Sequence, residues 1–405
     1  MTKIAIIGAG ASGLVAGIIA KNHTNKVDIY EKENQIAKKI LISGNGRCNY
    51  FNENFAQSKY YSKDQELLKV IINDTNKKII LSFFDKIGLI PNIKNGYYYP
   101  SSNKATSVRD ALLSEVTSKN IKIHYNEPVT KIEVSDNKFI VTTTNDKKIY
   151  DKVIISTGSC AYVKECNSYD LVKNLNQEIT TILPSLVPLN IKGNYFNKWD
   201  KIRCNAKLTL LKNNKILKEE IGEVQLTNYG ISGICVFNLS GSVNTLLENN
   251  KKPIIKINFL NFIETTNYKK WLIDRNNKIK GRSIKELLTP IIPEGLVETI
   301  LFISDIDKQD KINNINEQQL NNLINNLTNL SLEPISSKDF SRAQVCQGGV
   351  RLNQINPLTM ESKKLKNLYI TGELLDATGE CGGYNLGFAF ITGLLAGKNA
   401  GDNND

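Results

Sequence analysis

"KIAIIGAGASGLVAGIIAKN", Lys3 to Asn22, decides the fold. Lys3–Ile7 reads as a short apolar strand. A glycine turn follows, then a helix with small residues facing inward. "KVDIYEKEN" supplies a second strand ending at Glu31. Strand, turn, helix and strand within about thirty residues form the unit of a dinucleotide fold. In Gly8-x-Gly10-x-x-Gly13, Gly8 allows the tight turn, Gly10 lets the backbone approach a pyrophosphate, and Gly13 lets the helix sit close to the strand. The first helical amides, with Ala11 and Ser12 among them, and the helix dipole favour phosphate. A carboxylate at Glu31 can accept from a ribose 2′-OH and repels a 2′-phosphate, which argues against NADP at this position.

The rest of the chain is too long for one simple core. Its 405 residues predict two or three domains. No charged leader or cleavage site precedes Lys3, which argues against a signal peptide. No apolar run reaches the ~18 residues of a membrane helix; Leu386–Ala396 comes closest. Cys48, Cys160, Cys166, Cys204, Cys235, Cys346 and Cys381 are scattered without a C-x-x-C pair, as suits reduced thiols in a cytoplasmic protein. With only His23 and His124 there is no histidine-rich metal site, and no zinc spacing is present. The net charge of +12 is dispersed through a chain crowded with Lys, Asn and Ile, which argues against a dedicated nucleic-acid surface.

Helices are expected over Gln65–Gly88 and Lys104–Asn120. The period then changes to short strands, with turn signals at Asn126–Glu127, Asp136–Asn137 and Asn145–Asp146. From about Leu189 the chain is strand and turn; from Asn267 to about Leu332 it is polar and helical; strands return in "SRAQVCQGGVRLNQI" and "LKNLYITGELLD". The middle therefore reads as an insertion. The expected organisation is a discontinuous α/β, Rossmann-like dinucleotide-binding domain (1–188 and 340–405), an inserted strand-rich block that is a small barrel or an open sheet (189–265), and a helical block (266–339).

FAD rather than NAD follows from the later segments. "ISTGS", Ile155–Ser159, is a strand ending in Thr157-Gly158, suited to backbone contact with a nucleotide. "LYITGELLD" ends in Gly372-Glu373, a carboxylate placed for polyol hydroxyls, and FAD carries a ribitol where NAD has no extended polyol. "TGECGGYNLGFAFITGLLAG", Thr378 to Gly397, opens a helix at Gly383-Tyr384-Asn385, whose amides can face the flavin N1/O2 edge and stabilise its reduced form. The early glycines would let the backbone approach a flat ring, and Gly387, Gly393 and Gly397 would let the helix pack against the sheet. In "AKKILISGNGRCNYFN", Lys39 and Arg47 could neutralise pyrophosphate or a flavin oxygen; Cys48 lacks a partner for a flavin–disulfide relay and reads as packing.

"KKILISGNGRCN", "QGGVRLNQINPLTMESKKLKNLYITGELLD" and "GECGGYNLGFAF" together resemble the bacterial BaiN-like, aminoacetone-oxidase-type FAD-binding proteins of the two-dinucleotide-binding flavoprotein group. The resemblance runs end to end. It implies an FAD domain split by a β-barrel and a helical subdomain. It also implies FAD contacts at Gly8, Gly10, Gly13, Glu31, Lys39, Arg47, Thr157, Gly158, Gly372, Glu373, Gly383, Tyr384 and Asn385. The full candidate set adds their neighbours Ala11, Ser12, Lys32, Gly46, Cys48, Asn49 and Leu386, together with Val129. Three positions depart from the usual pattern: Asn45 within Gly44-Asn45-Gly46, Cys381, and Gly387.

The remaining candidates are weaker. His124 reads as a structural strand histidine and His23 as exposed. "NGYYYPSSN", Asn95–Asn103, is either a loop over a substrate or an aromatic core edge. Arg342, Gln344 and Cys346 precede Gly348-Gly349 on a re-entering strand, where substrate contact is plausible. The expected activity is that of an FAD-dependent oxidoreductase. A small organic substrate would lie between the FAD sheet and the inserted barrel, with hydride moving at flavin N5. It would be amine oxidase-like, or a reductase of C=C or C=O bonds fed by NAD(P)H as a transient donor, since no second G-x-G-x-x-G is present. The alternative of another class is a flavoprotein that binds or modifies RNA.

Overall fold

A computed structural model describes residues 1–163, 167–193 and 198–402, so that Cys166 lies outside the described residues. The chain divides into two compact units, Met1–Ile182 with Val345–Asp405, and Leu183–Gln344.

The first unit is built on a parallel sheet. Its strands are β1 (Thr2–Ile7), β2 (Asn25–Tyr30), β3 (Lys122–His124), β4 (Lys152–Ile155) and β5 (Leu368–Ile370), in the order β5-β4-β1-β2-β3. This is the order of a doubly wound dinucleotide fold. Ile4, Ala5, Ile6, Val153, Ile154, Ile155, Leu368 and Ile370 are fully buried, because a parallel sheet is covered on both faces and its strands are apolar throughout. An antiparallel meander, Val129–Ser135, Lys138–Thr143 and Lys147–Tyr150, stands beside it. Its first turn falls on Asp136–Asn137, both left-handed (φ 49° and 58°), the residue types that tolerate that region.

Two helices complete the layer that matters for the site, α1 (Ala11–Ala20) and α2 (Tyr384–Gly401). The glycines of α2 face α1 rather than the sheet, which corrects the sequence expectation. A Cβ at Gly393 would lie 2.3 Å from Ser12 O, one at Gly397 2.6 Å from Ala16 O, and one at Gly401 2.9 Å from the Ala20 Cα. The spacing of four on both helices forms matching ridges, small against small. On its opposite side α1 meets the sheet: a Cβ at Gly17 would lie 2.9 Å from Ile29 Cδ1 and 3.2 Å from Ile6 Cδ1. Gly387 faces the Phe51 and Phe55 rings instead. At the far end the buried Asn25 amide donates to Ala20 O (3.1 Å) and Gly401 O (2.8 Å), so one side chain satisfies terminal carbonyls of both helices.

The second unit carries a seven-stranded antiparallel sheet. Its order is Leu330–Leu332, Ile254–Asn258, Arg203–Lys212, Lys215–Thr227, Gly230–Ser232, Leu189–Ile191, Pro334–Ser337. The two end strands are joined by Glu333 alone, so the sheet must curl until its edges adjoin. The helices Tyr268–Lys278, Ile284–Leu288, Glu294–Ile303 and Glu317–Thr328 do not have a core of their own: Leu272, Leu287, Leu296, Leu323 and Leu327 belong to the same buried cluster as Leu208, Val224, Leu239 and Ile257. Among the described residues, no helix is long and apolar enough to cross a membrane.

The α1–α2 contact generates a stability prediction. Gly393→Ala puts a methyl against the Ser12 carbonyl, which has no freedom to rotate away. The helices must separate, at about 1–3 kcal/mol, the usual range for overpacking. Thermal or urea unfolding of the variant should show that loss.

Candidate dinucleotide site

The site forms at the carboxyl edge of β1, β2, β4 and β5, where an open parallel sheet receives ligands. The three glycines after β1 differ in what surrounds them. Gly8 is left-handed (φ 106°), and a Cβ there would lie 2.5 Å from Ser156 O. A Cβ at Gly13 would lie 2.0 Å from Gly8 O. At Gly10 a Cβ would meet nothing within 4 Å. Two of the glycines are therefore required by the protein's own packing, and the middle one faces open space at the start of α1. Ala11 and Ser12 follow it, in the first turn, where helical amides have no intrahelical acceptor.

Glu31 is held against this loop. Its Oε2 accepts from Ala9 N–H (2.8 Å) and its Oε1 from Glu33 N–H (3.0 Å). Each oxygen keeps lone pairs for further donors. Lys32 beside it is exposed. Glu31 O accepts from Glu127 N–H (2.9 Å), which ties it to the segment leading to half-buried Val129.

The ends of β4 and β5 meet the segment after β2 through an ion pair. Lys39 Nζ lies 2.7 Å from Glu373 Oε2 and donates to Ser159 Oγ (3.2 Å), and Ser159 Oγ donates to the same Glu373 oxygen (2.8 Å). Sequence reading picked out Lys39 and Glu373 separately and missed Ser159, although it directly follows Thr157-Gly158. Gly158 is left-handed (φ 73°), its Cβ position 3.7 Å from Lys39 Nζ, and Thr157 Oγ1 donates to Ser168 O (2.8 Å). Gly372 N–H donates to Thr392 Oγ1 of α2 (2.9 Å), and a Cβ at Gly372 would lie 2.8 Å from Ser12 Oγ.

A second group gathers around Phe51. Gly44, Asn45 and Gly46 are all left-handed (φ 56°, 54° and 78°), and asparagine is the side chain that best replaces glycine there. A Cβ at Gly46 would meet nothing within 4 Å. Arg47 is exposed, its guanidinium 5.5 Å from the centre of the Tyr99 ring. Asn49, in the amide orientation that satisfies its neighbours, donates to Phe51 O (2.8 Å). Gly383 (φ 88°) caps α2, and a Cβ there would lie 2.6 Å from Phe51 O. A Cβ at Gly382 would lie 2.6 Å from the Tyr97 ring. Protein fills both places. Asn385 closes the turn by accepting from Gly379 N–H (2.8 Å) and donating to Gly379 O (2.9 Å). Tyr384 O accepts from Tyr60 OH (2.8 Å), and Leu386 is half-buried. The three tyrosines of "NGYYYPSSN" lie on a strand, Tyr97–Pro100, paired with Phe51–Asn52 and Pro91–Lys94: an aromatic core edge.

Among the described residues, Cys48 and Cys346 are buried thiols. Cys48 is fully buried, and burial pushes its thiol up to about 12. Burial likewise pushes Cys346 up to about 11. Cys160 is disulfide-bonded, against the expectation of reduced thiols throughout. Arg342 and His23 are exposed.

The family model described as HI0933-like protein Rossmann domain matches residues 2–399. A 3-dehydro-bile acid delta(4,6)-reductase of Clostridium scindens is 34% identical, over 99% of this chain and 100% of its own. A ribosomal RNA dihydrouridine synthase of Escherichia coli is 24% identical, over 95% of this chain and 94% of its own. With an RNA-modifying enzyme among the relatives, the expectation against nucleic acid as a partner is unsupported. The solved 3-ketosteroid delta1-dehydrogenase of Sterolibacterium denitrificans shares the fold at 9% identity, with a TM-score of 0.53, over 99% of this chain and 100% of its own. The chain belongs to the HI0933-like Rossmann-domain family.

Proposed function

We propose that the chain uses FAD to reduce a carbon–carbon double bond conjugated to a carbonyl, in a small apolar substrate of the steroid or bile-acid type. The observation that carries the cofactor reading is the contrast among the three glycines. Gly8 and Gly13 are closed by protein, while Gly10 leaves a cradle that a side chain would fill, beside the anchored carboxylate of Glu31. In this reading Glu31 accepts from ribose hydroxyls, and the amides around Gly10, Ala11 and Ser12 face the pyrophosphate. Glu373, oriented by Lys39 and Ser159, would accept from the ribitol, and the amides at the start of α2, Gly383–Asn385, would stabilise charge on the ring's polar edge. The bound group supplies hydride chemistry at flavin N5, and NAD(P)H is the donor that reduces it.

The reaction reading draws on what the relatives' names have in common. A 3-oxo compound with 4,6 unsaturation and the uracil ring of uridine both present a C=C polarised by a carbonyl. Hydride addition to either is the same chemistry. The relative with the higher identity, the bile-acid reductase, favours the apolar ring system. The second reading, uridine in RNA, rests on the dihydrouridine synthases and the +12 charge.

Two outcomes are expected. Gly10→Leu should leave unfolding of the flavin-free chain unchanged, since a Cβ there meets nothing within 4 Å, and should abolish retention of the yellow chromophore on purification. Retained flavin in that variant would overturn the placement. The purified protein should bleach on anaerobic addition of NADH or NADPH. It should then consume the ultraviolet absorbance of a 3-oxo-4,6-diene steroid acid. Dihydrouridine formed in ribosomal RNA, with the dienone untouched, would instead establish the second reading.

A further inference from the structure

The long strand Lys215–Thr227 of the second unit uses only part of one of its edges. On one side it pairs with Arg203–Lys212, from Lys215 to Gln225. On the other side Gly230–Ser232 pairs only with Gln225, Leu226 and Thr227. Cys235 Sγ donates to Glu223 O (3.1 Å), which extends that cover by a short step. Among the described residues, no strand pairs with this side from Lys215 to Val224. Successive peptides of a strand point to opposite sides. Leu226 N–H donates to Ile202 O (2.8 Å), toward the paired side, and Glu223 O points away from it. The register is unbroken from Lys218 to Gln225, so the N–H and C=O groups of Glu219 and Ile221 also point to the open side. Leu217 is the extra residue of a bulge that ends this run.

An open edge is usually guarded by charge. Here Lys218 is turned aside, its ammonium donating to Asn238 O (3.2 Å) and lying 3.1 Å from Glu220. Three large apolar side chains stand in water beside the edge: Leu217 (48% exposed), Ile221 (68%) and, just beyond Gly233 at the covered end, Ile234 (61%).

The edge sequence "KILKEEIGE", Lys215–Glu223, is complementary to its own reverse. Antiparallel pairing with a copy about Glu219 sets Lys218 opposite Glu220, Lys215 opposite Glu223 and Leu217 opposite Ile221. Opposite charges and apolar pairs across strands stabilise a sheet, and like charges oppose it. The like pair in this register is Glu219 with its copy, and that carboxylate is already met by Lys207 Nζ (2.9 Å) and Thr209 Oγ1 (3.0 Å). Pairing about Lys218 would oppose two ammoniums, and pairing about Ile221 would set Glu219 against Glu223.

We propose that this edge is an interface with a second copy of the chain: Leu217–Ile221 pairs with itself antiparallel about a two-fold axis at Glu219, joining two sheets into one. On the axis Glu219 exchanges both N–H···O bonds with its copy. The pairing is isologous, so it closes as a dimer and does not run on into a fibre. So short a contact falls below the ~1,000 Å² of a stable interface, and the dimer is weak and reversible.

The test is sedimentation velocity of the full chain from about 1 to about 100 µM. The native chain should pass from monomer to dimer across that range. Ile221→Pro removes the outward N–H and leaves the bonds to Arg203–Lys212 intact, a place where an edge strand tolerates proline; its dissociation constant should rise at least ten-fold. Glu219→Cys puts two thiols on the axis with Cα atoms ~5.5 Å apart, within disulfide reach. It should give a cross-linked dimer under mild oxidation where the native chain gives none, and it decides the matter if Ile221→Pro does not fold. A chain that stays monomeric throughout, a dimer unchanged in Ile221→Pro, or Glu219→Cys that cross-links no more than the native chain overturns the proposal.

Discussion

The backbone of α2 rests on the backbone of α1, and the site depends on that contact. Gly393, Gly397 and Gly401 lie over Ser12, Ala16 and Ala20 with no side chain between them. This brings a segment remote in sequence to the first turn of the molecule. Gly372 then reaches Ser12, and Glu373 reaches Lys39. The glycines cost helix propensity, roughly 1 kcal/mol each. The close approach, and the carbonyls shared through Asn25, offset that cost.

At the carboxyl edge two of the cations are already engaged by protein groups. Lys39 is neutralised by Glu373, and the Arg47 guanidinium rests on Tyr99. What faces the opening at Gly10 is the amide end of a helix. A dipole fixed by secondary structure needs no reorganisation when a phosphate arrives. The ammonium donates to Glu373 Oε2 and to both oxygens of Ser159, and so fixes those residues relative to one another.

Much of this was legible because backbone constraint writes itself into residue type. The Gly8–Gly13 turn and the Asp136–Asn137 turn require unusual φ values or close approach, and each leaves its signature locally. The Lys39–Glu373–Ser159 group left none, since its members are distant in sequence and are joined only by the sheet order. The glycine stripe of α2 revealed a close approach but not the partner, although Ser12, Ala16 and Ala20 repeat at the same interval. Leu272, Leu287 and Leu323, embedded in an Asn- and Lys-rich stretch, concealed that the helical block shares the core of the strands.

The split of the first unit across the sequence also orders its birth. During synthesis β1 to β4 emerge early, but β5 and α2 follow only after the whole second unit has been made. Until then α1 shows the ribosome's surroundings its bare flank of Ser12, Ala16 and Ala20, and β4 an unpaired edge. The second unit, continuous in sequence, has no such wait. A nascent chain therefore spends its translation with a finished insert and an unfinished host, at elongation rates of roughly 5–20 residues per second. That interval is when the exposed edge of β4 is open to wrong partners.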